Sequence, residues 1–175
     1  MNFKTSEEEI FFRLNVYQNY FKNKRVLDIG TRDGLNPINF SFFKSKENIG
    51  IDIDNSKFNL YESEIKKNNV KLIKINFFDY IDTEKFDVIT IFKWNFSLKD
   101  YDKVIEKIKS LLKKDGKLFI GVVDNLYKYG YIDINKKKIK NTGSVVELIE
   151  KNFLNYTIIN KNDIHHQWII SIDNC

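Results

Sequence analysis

Residues 25–34 read Arg25-Val26-Leu27-Asp28-Ile29-Gly30-Thr31-Arg32-Asp33-Gly34. A short apolar run that ends in glycine and enters a polar loop reads as a buried strand meeting a turn. Asn36-Pro37 then restarts a helix. Asn36 is the expected N-cap, and the chain's only proline takes the first helical position, where a missing N–H costs nothing. Glycines let the backbone turn tightly and approach a ligand, and the helix start beyond them offers free N–H groups. Two phosphate-binding solutions do not fit. A dinucleotide fingerprint needs G-x-G-x-x-G, whereas Gly30-x-x-x-Gly34 carries Arg32 between its glycines. A P-loop needs a Lys-Ser/Thr pair that does not follow.

Outward from this loop, strands alternate with helices. Asn48–Asp54, Val70–Asn76, Phe86–Lys93 and Lys117–Val123 read as strands. Lys57–Lys67 reads as a short helix. Asp100–Lys113 is amphipathic, with Val104, Ile105, Ile108, Leu111 and Leu112 on one face. Asp115-Gly116 is expected to turn into the fifth strand. Ser144 is a candidate cap for a helix to Phe153, and Tyr156–Asn160 and Gln167–Ile172 form an expected hairpin. Ser6-Glu7-Glu8-Glu9 is a capping box opening an N-terminal helix within residues 1–23. The expected architecture is α/β: one domain over 1–175, with a doubly wound, mostly parallel, seven-stranded Rossmann-like sheet at 25–173. Helices cover both faces and an antiparallel hairpin closes the C-terminus. Such sheets bind ligands beyond the carboxyl ends of their strands.

Composition narrows the classes. The chain has 175 residues, 42% of them hydrophobic and 15% aromatic, enough for a packed core. The single cysteine, Cys175, excludes a disulfide framework and a thiolate metal cage. Only two histidines occur, His165 and His166, so no metal site is expected. No apolar stretch is long enough to span a membrane and Met1–Glu9 does not resemble a signal peptide, so a cytoplasmic protein is expected. Net charge is +5, but only three of the 29 basic residues are arginines and alanine is absent. That skew reads as codon bias more than as a nucleic-acid footprint.

The motifs in order resemble those of class I S-adenosylmethionine-dependent methyltransferases. Val26-Leu27-Asp28-Ile29-Gly30-Thr31-Arg32-Asp33-Gly34 is similar to their acidic-x-Gly-x-Gly-x-Gly loop. Gly50-Ile51-Asp52-Ile53-Asp54 resembles the second motif, an acidic residue closing strand two. Asn76-Phe77-Phe78-Asp79 resembles the third, Phe86-Asp87-Val88-Ile89 the start of strand four, and Leu111–Leu118 the approach to strand five. Three departures stand out: Arg32 for the middle glycine, Asn76 for the usual aspartate, and Lys114-Asp115 for Pro-Gly.

The resemblance implies S-adenosyl-L-methionine as cofactor. It implies that Gly30, Thr31, Arg32 and Gly34 line the methionine and ribose parts, and that Asp28 meets the cofactor's ammonium. A carboxylate suits that group because charge-assisted hydrogen bonds are the stronger kind. Asp52 would take the ribose hydroxyls, Ile53 the adenine face, and Asn76 with the Phe77 backbone the adenine edge. Phe92 would lie beside the sulfonium. Other readings stay open: Asp28 and Asp52 as helix caps, Asp54 in place of Asp52, Ile53 as core. Arg32 either narrows the methionine end of the pocket or supplies a cation to the cofactor's carboxylate.

Methyl transfer from a sulfonium asks mainly for positioning, and for a base only where the acceptor keeps its proton late. Lys93 and Asp124 are the candidate catalytic residues, and Trp94, Asn95, Tyr127 and Tyr129 the candidate substrate contacts. Neither an Asn/Asp-Pro-Pro-Tyr motif nor a Lys-Asp-Lys-Glu set is present. A small-molecule or sugar acceptor is the expectation. Two alternatives are an RNA or nucleotide methyltransferase using the basic run 136–140, and a non-catalytic partner subunit.

Overall fold

The computed structural model describes residues 18–92, 100–123, 155–162 and 167–173, with backbone alone for 122–123 and the last two segments. Two compact units divide the chain, Met1–Ile89 and Thr90–Cys175.

In the first unit, β1 (Arg25–Ile29), β2 (Glu47–Asp52) and β3 (Val70–Lys74) pair in parallel, in the order β3-β2-β1-β4. The fourth strand, β4 (Phe86–Ile91), begins in this unit and ends in the next. Every residue of β1 is buried, as expected of a central strand with both faces covered. Helix α1 (Leu35–Phe42) follows β1 and buries Pro37, Ile38, Asn39 and Phe40. The Phe40 ring stacks on Phe21 with centroids 4.5 Å apart and planes 13° off parallel. Register fixes a row across the sheet: Asp28 lies opposite Gly50, and Gly50 opposite Leu72. In a parallel sheet such partners point to the same face.

In the second unit, α3 (Tyr101–Leu111) buries Tyr101, Val104, Ile105, Ile108 and Leu111. Each such apolar side chain contributes about 1.5–3 kcal/mol when taken out of water. Strand β5 (Leu112–Val123) pairs antiparallel with β7 (Gln167–Asp173), which pairs antiparallel with β6 (Asn155–Asn162).

Several boundaries differ from expectation. Helix α1 starts at Leu35, with Gly34 as its cap, so Asn36 is inside the helix and Pro37 is its third residue. The cause is local: the Leu35 N–H donates to Asp33 Oδ1, and Gly34 turns left-handed at φ 83°. Pro37 still sits in the first turn, where N–H groups have no helical acceptor. Strand β2 ends at Asp52, two residues early, because Asp52 Oδ1 accepts the Asp54 N–H and bends the chain. The expected helix 57–67 shrinks to α2 (Glu62–Lys67), preceded by turns. Asp115 and Gly116 fall within β5 rather than ahead of it. The N-terminal helix, apart from a 3-10 turn at Gln18–Tyr20, and the 144–153 helix lie outside the described residues.

Candidate functional site

The carboxyl ends of β1, β2 and β3 converge on one loop. After Ile29 the chain leaves β1, and the N–H groups of Gly30 and Thr31 both donate to Ile51 O, at 2.9 and 3.1 Å. The loop is thus sewn to β2. Gly30, Arg32 and Gly34 all have positive φ, at 75°, 58° and 83°. Glycine takes that conformation freely, whereas for Arg32 it costs about 1–2 kcal/mol. The structure therefore asks Arg32 to do what a middle glycine would do without strain. The Arg32 N–H donates to Asp52 Oδ2 at 2.8 Å, joining the loop to the acidic residue that ends β2.

The loop is seated by Gly50 and Leu72, to which the sequence alone assigned no role of their own. Gly50 leaves a hollow in β2, and a Cβ there would stand 2.6 Å from Thr31 Oγ1 and 2.8 Å from Leu72 Cδ2. A Cβ on Gly34 would stand 2.7 Å from Leu72 Cδ1. Thr31 and Leu72 thus fill the space that Gly50 leaves. A glycine inside a strand signals such close approach, and that signal was available in Gly50-Ile51-Asp52.

Thr31 is buried, and its hydroxyl has no hydrogen-bond partner among the described residues. Its side chain turns under the loop onto Gly50. Asp28 is also buried, and its Oδ2 accepts from Asn36 Nδ2 at 3.1 Å. Asn36, expected as a cap, instead reaches back to hold this carboxylate.

Asp52 is half-buried and accepts from Arg32 and Asp54 with one oxygen each, leaving further lone pairs on both. Asp54 makes a local turn, accepting from the Ser56 N–H and hydroxyl, which holds its carboxyl below the usual range. Of the two acids, Asp52 is the one tied to the glycine loop. Its carbonyl accepts the Ile75 N–H at 2.8 Å, bringing the third motif alongside. Asn76 caps the 3-10 turn Phe77–Asp79 through its Oδ1, which accepts from the Phe78 N–H at 3.0 Å. Phe77 is buried beneath that turn, while Ile53 is 68% exposed, which removes its reading as core. Phe92 is half-buried at the end of β4. Lys93, Trp94, Asn95, Asp124, Tyr127, Tyr129, His165, His166 and the basic run 136–140 lie outside the described residues.

The residues present suit a nucleoside carrying an amino acid. Around a Cβ position on Gly30 no heavy atom of the described residues lies within 4 Å, so among them the backbone is open to a ligand there. An acceptor-only carboxylate stands at the end of β2 for a diol. Among the described residues no group of His, Cys, Asp and Glu could hold a metal ion, and no helix is long and apolar enough to cross a membrane.

The chain is similar to known proteins in sequence and in fold. A methyltransferase domain family model matches residues 11–172. The ribosomal protein L11 methyltransferase of Fusobacterium nucleatum subsp. nucleatum is 34% identical over 111 residues, 60% of this chain and 35% of that protein. The chain thus spans about a third of that relative's length. The fold resembles the PH0226 protein of Pyrococcus horikoshii OT3, with a TM-score of 0.75 at 16% identity, covering 99% of this chain and 92% of that one. It also resembles coclaurine N-methyltransferase bound to N-methylheliamine and S-adenosylhomocysteine, with a TM-score of 0.59 at 19% identity, over 70% and 39% of the two chains.

Proposed function

The chain belongs to the methyltransferase domain family, S-adenosylmethionine-dependent enzymes of the class I Rossmann-like fold, and from that premise we propose that it methylates a small-molecule or sugar acceptor. The observation that carries the cofactor part of this reading is the 2.8 Å bond from the Arg32 N–H to Asp52 Oδ2, which fastens the glycine loop to the acidic end of β2. When bound, S-adenosylmethionine supplies a methyl group on a sulfonium that is already activated for displacement. Asp52 holds the ribose hydroxyls, Gly30 and Gly34 let the cofactor lie against the backbone, and Asp28 orients the loop and meets the cofactor's ammonium. Ile53, exposed beside Asp52, covers the adenine face. Asn76 and the Phe77 backbone read the adenine edge, Asn76 doing so while its Oδ1 also caps its own turn. Phe92 flanks the sulfonium, and Lys93, Asp124, Trp94, Asn95, Tyr127 and Tyr129 serve the acceptor. Catalysis on this reading is chiefly positioning and exclusion of water. The same reading takes residues 1–175 as one domain, with a core at 25–173 built on a single seven-stranded sheet with a C-terminal hairpin, working in the cytoplasm.

A second reading has a protein acceptor, and one observation favours it: the 34% identity to a ribosomal protein L11 methyltransferase. One experiment separates the readings. The chain is incubated with methyl-labelled S-adenosylmethionine and a cell extract, which is then split into metabolite, protein and RNA fractions. Label in metabolites supports the proposal, and label in a ribosomal protein replaces the acceptor class. Label in RNA favours the basic run 136–140 instead. Failure to bind either S-adenosylmethionine or S-adenosylhomocysteine in calorimetry leaves the non-catalytic subunit.

A further inference from the structure

Arg32 combines three features. Its backbone is left-handed, φ 58°, at a position where glycine would be free of strain. Its N–H is committed to Asp52. Its side chain is exposed, and its guanidinium has no ion pair or hydrogen bond among the described residues. A residue held in a sparsely populated conformation beside a ligand site invites a functional reason.

The charges around it supply one. The neighbouring acids are Asp28, Asp33 and Asp52, and Arg32 is the only cation in the loop 28–34. The nearby lysines Lys57 and Lys74 act on Asp54, which they help keep ionised. The amino-acid end of the cofactor carries one ammonium and one carboxylate. The loop has acids for the first and a single base for the second. Guanidinium presents a planar fork that fits a carboxylate with two parallel hydrogen bonds.

We infer that Arg32 is the specificity-determining residue that reads the carboxylate at the amino-acid end of the cofactor. This rests on the function proposed above. The loop thereby gives up the unstrained middle glycine and gains a charge-selective contact, so it discriminates complete cofactor from nucleosides that lack the amino acid.

Calorimetry with two probes tests this. S-adenosylhomocysteine keeps the amino acid, and 5′-methylthioadenosine lacks it. Arg32→Gln should weaken S-adenosylhomocysteine about 10-fold, as expected for a partly solvated charged hydrogen bond, and change 5′-methylthioadenosine by less than about 2-fold. Arg32→Lys should recover part of the loss, and added salt should narrow the gap between wild type and Arg32→Gln. Arg32→Gly, which suits the backbone, should show the same split and guards against misfolding of the other variants. Equal weakening of both probes, or of neither, overturns the inference while leaving the methyltransferase reading intact. If wild type binds neither probe, the methyltransferase reading itself fails.

Discussion

Arg32 and Asp52, 20 residues apart in sequence, are joined by one hydrogen bond from the Arg32 N–H to Asp52 Oδ2 at 2.8 Å. The bond makes Asp52 a brace for the loop, in addition to the ligand role proposed for it. These functions separate by substitution. Asp52→Ala removes both and should cost about 2–3 kcal/mol of S-adenosylhomocysteine affinity, the range for a hydrogen bond to a charged group. Asp52→Asn keeps an acceptor for Arg32 but loses the charge, so it should cost less. Calorimetry on folded variants checks the order; unchanged affinity in Asp52→Ala would count against the whole cofactor assignment.

The seating of the loop on Gly50 gives a coupled prediction. Gly50→Ala brings a methyl group to 2.6 Å from Thr31 Oγ1 and 2.8 Å from Thr31 Cγ2 and Leu72 Cδ2. Overpacking of this kind costs about 1–3 kcal/mol. Thr31→Ala clears the Thr31 atoms and removes a buried hydroxyl that has no partner among the described residues, so alone it should change stability little. The double variant Gly50→Ala/Thr31→Ala should recover at least half of the Gly50→Ala loss. Urea denaturation of the four proteins measures the coupling; additive losses would place the strain elsewhere.

How far the sequence reaches is clearest around this same loop. Strand β1, the order of elements and the buried face of α3 were legible because apolar periodicity is a one-dimensional signal. The pairing of Arg32 with Asp52 was not, since a backbone N–H carries no residue signature. Nor was the start of α1. Asn36 and Pro37 are both good start signals, but Asp33 and Gly34 formed a tighter turn just before them, and Asn36 was drawn to Asp28. The end of β2 was overrun for a related reason. Ile53 continues the alternation Ile49, Ile51, yet it is exposed because Asp52 bends the chain onto Asp54.

Gly34 should resist substitution more than Gly30. Both have positive φ, so alanine strains either backbone. At Gly30 nothing among the described residues lies within 4 Å of the new methyl group, whereas at Gly34 it meets Leu72 Cδ1 at 2.7 Å. Gly34→Ala should therefore lower stability by roughly 1 kcal/mol more than Gly30→Ala, the low end for overpacking because the half-buried Leu72 side chain can shift. Gly30→Ala should spend its effect on cofactor affinity instead. Thermal unfolding and calorimetry on both variants give the comparison, and equal melting points would contradict it.

The opposite end of β1 carries a charge cluster whose effect is on stability and pH. Arg25 is buried, donates to Asp82 Oδ2 at 3.0 Å, to Glu47 and to the Glu84 carbonyl, and lies 4.1 Å from the Phe86 ring centroid. Tyr80 also donates to Asp82 Oδ2, at 2.6 Å. Burial alone would raise the Asp82 carboxyl, but hydrogen bonds from Tyr80, the Glu84 backbone and Arg25 outweigh it and hold it below its usual range. A carboxyl depressed in the folded state binds its proton more readily once unfolded. Its stabilisation is therefore present above the ordinary aspartate range and is lost as pH falls through the depressed value. Asp82→Asn should lower stability at pH 7 and flatten the loss that sets in as pH falls through and below the ordinary aspartate range, where the depressed carboxyl takes up its proton. Arg25→Met should cost more, about 1.5–3 kcal/mol at pH 7, because half-buried Asp82 loses its cation while the bonds from Tyr80 and the Glu84 N–H remain. Denaturant midpoints across pH test both, and an acid limb of the same steepness in wild type and Asp82→Asn would assign the pH dependence to another carboxylate.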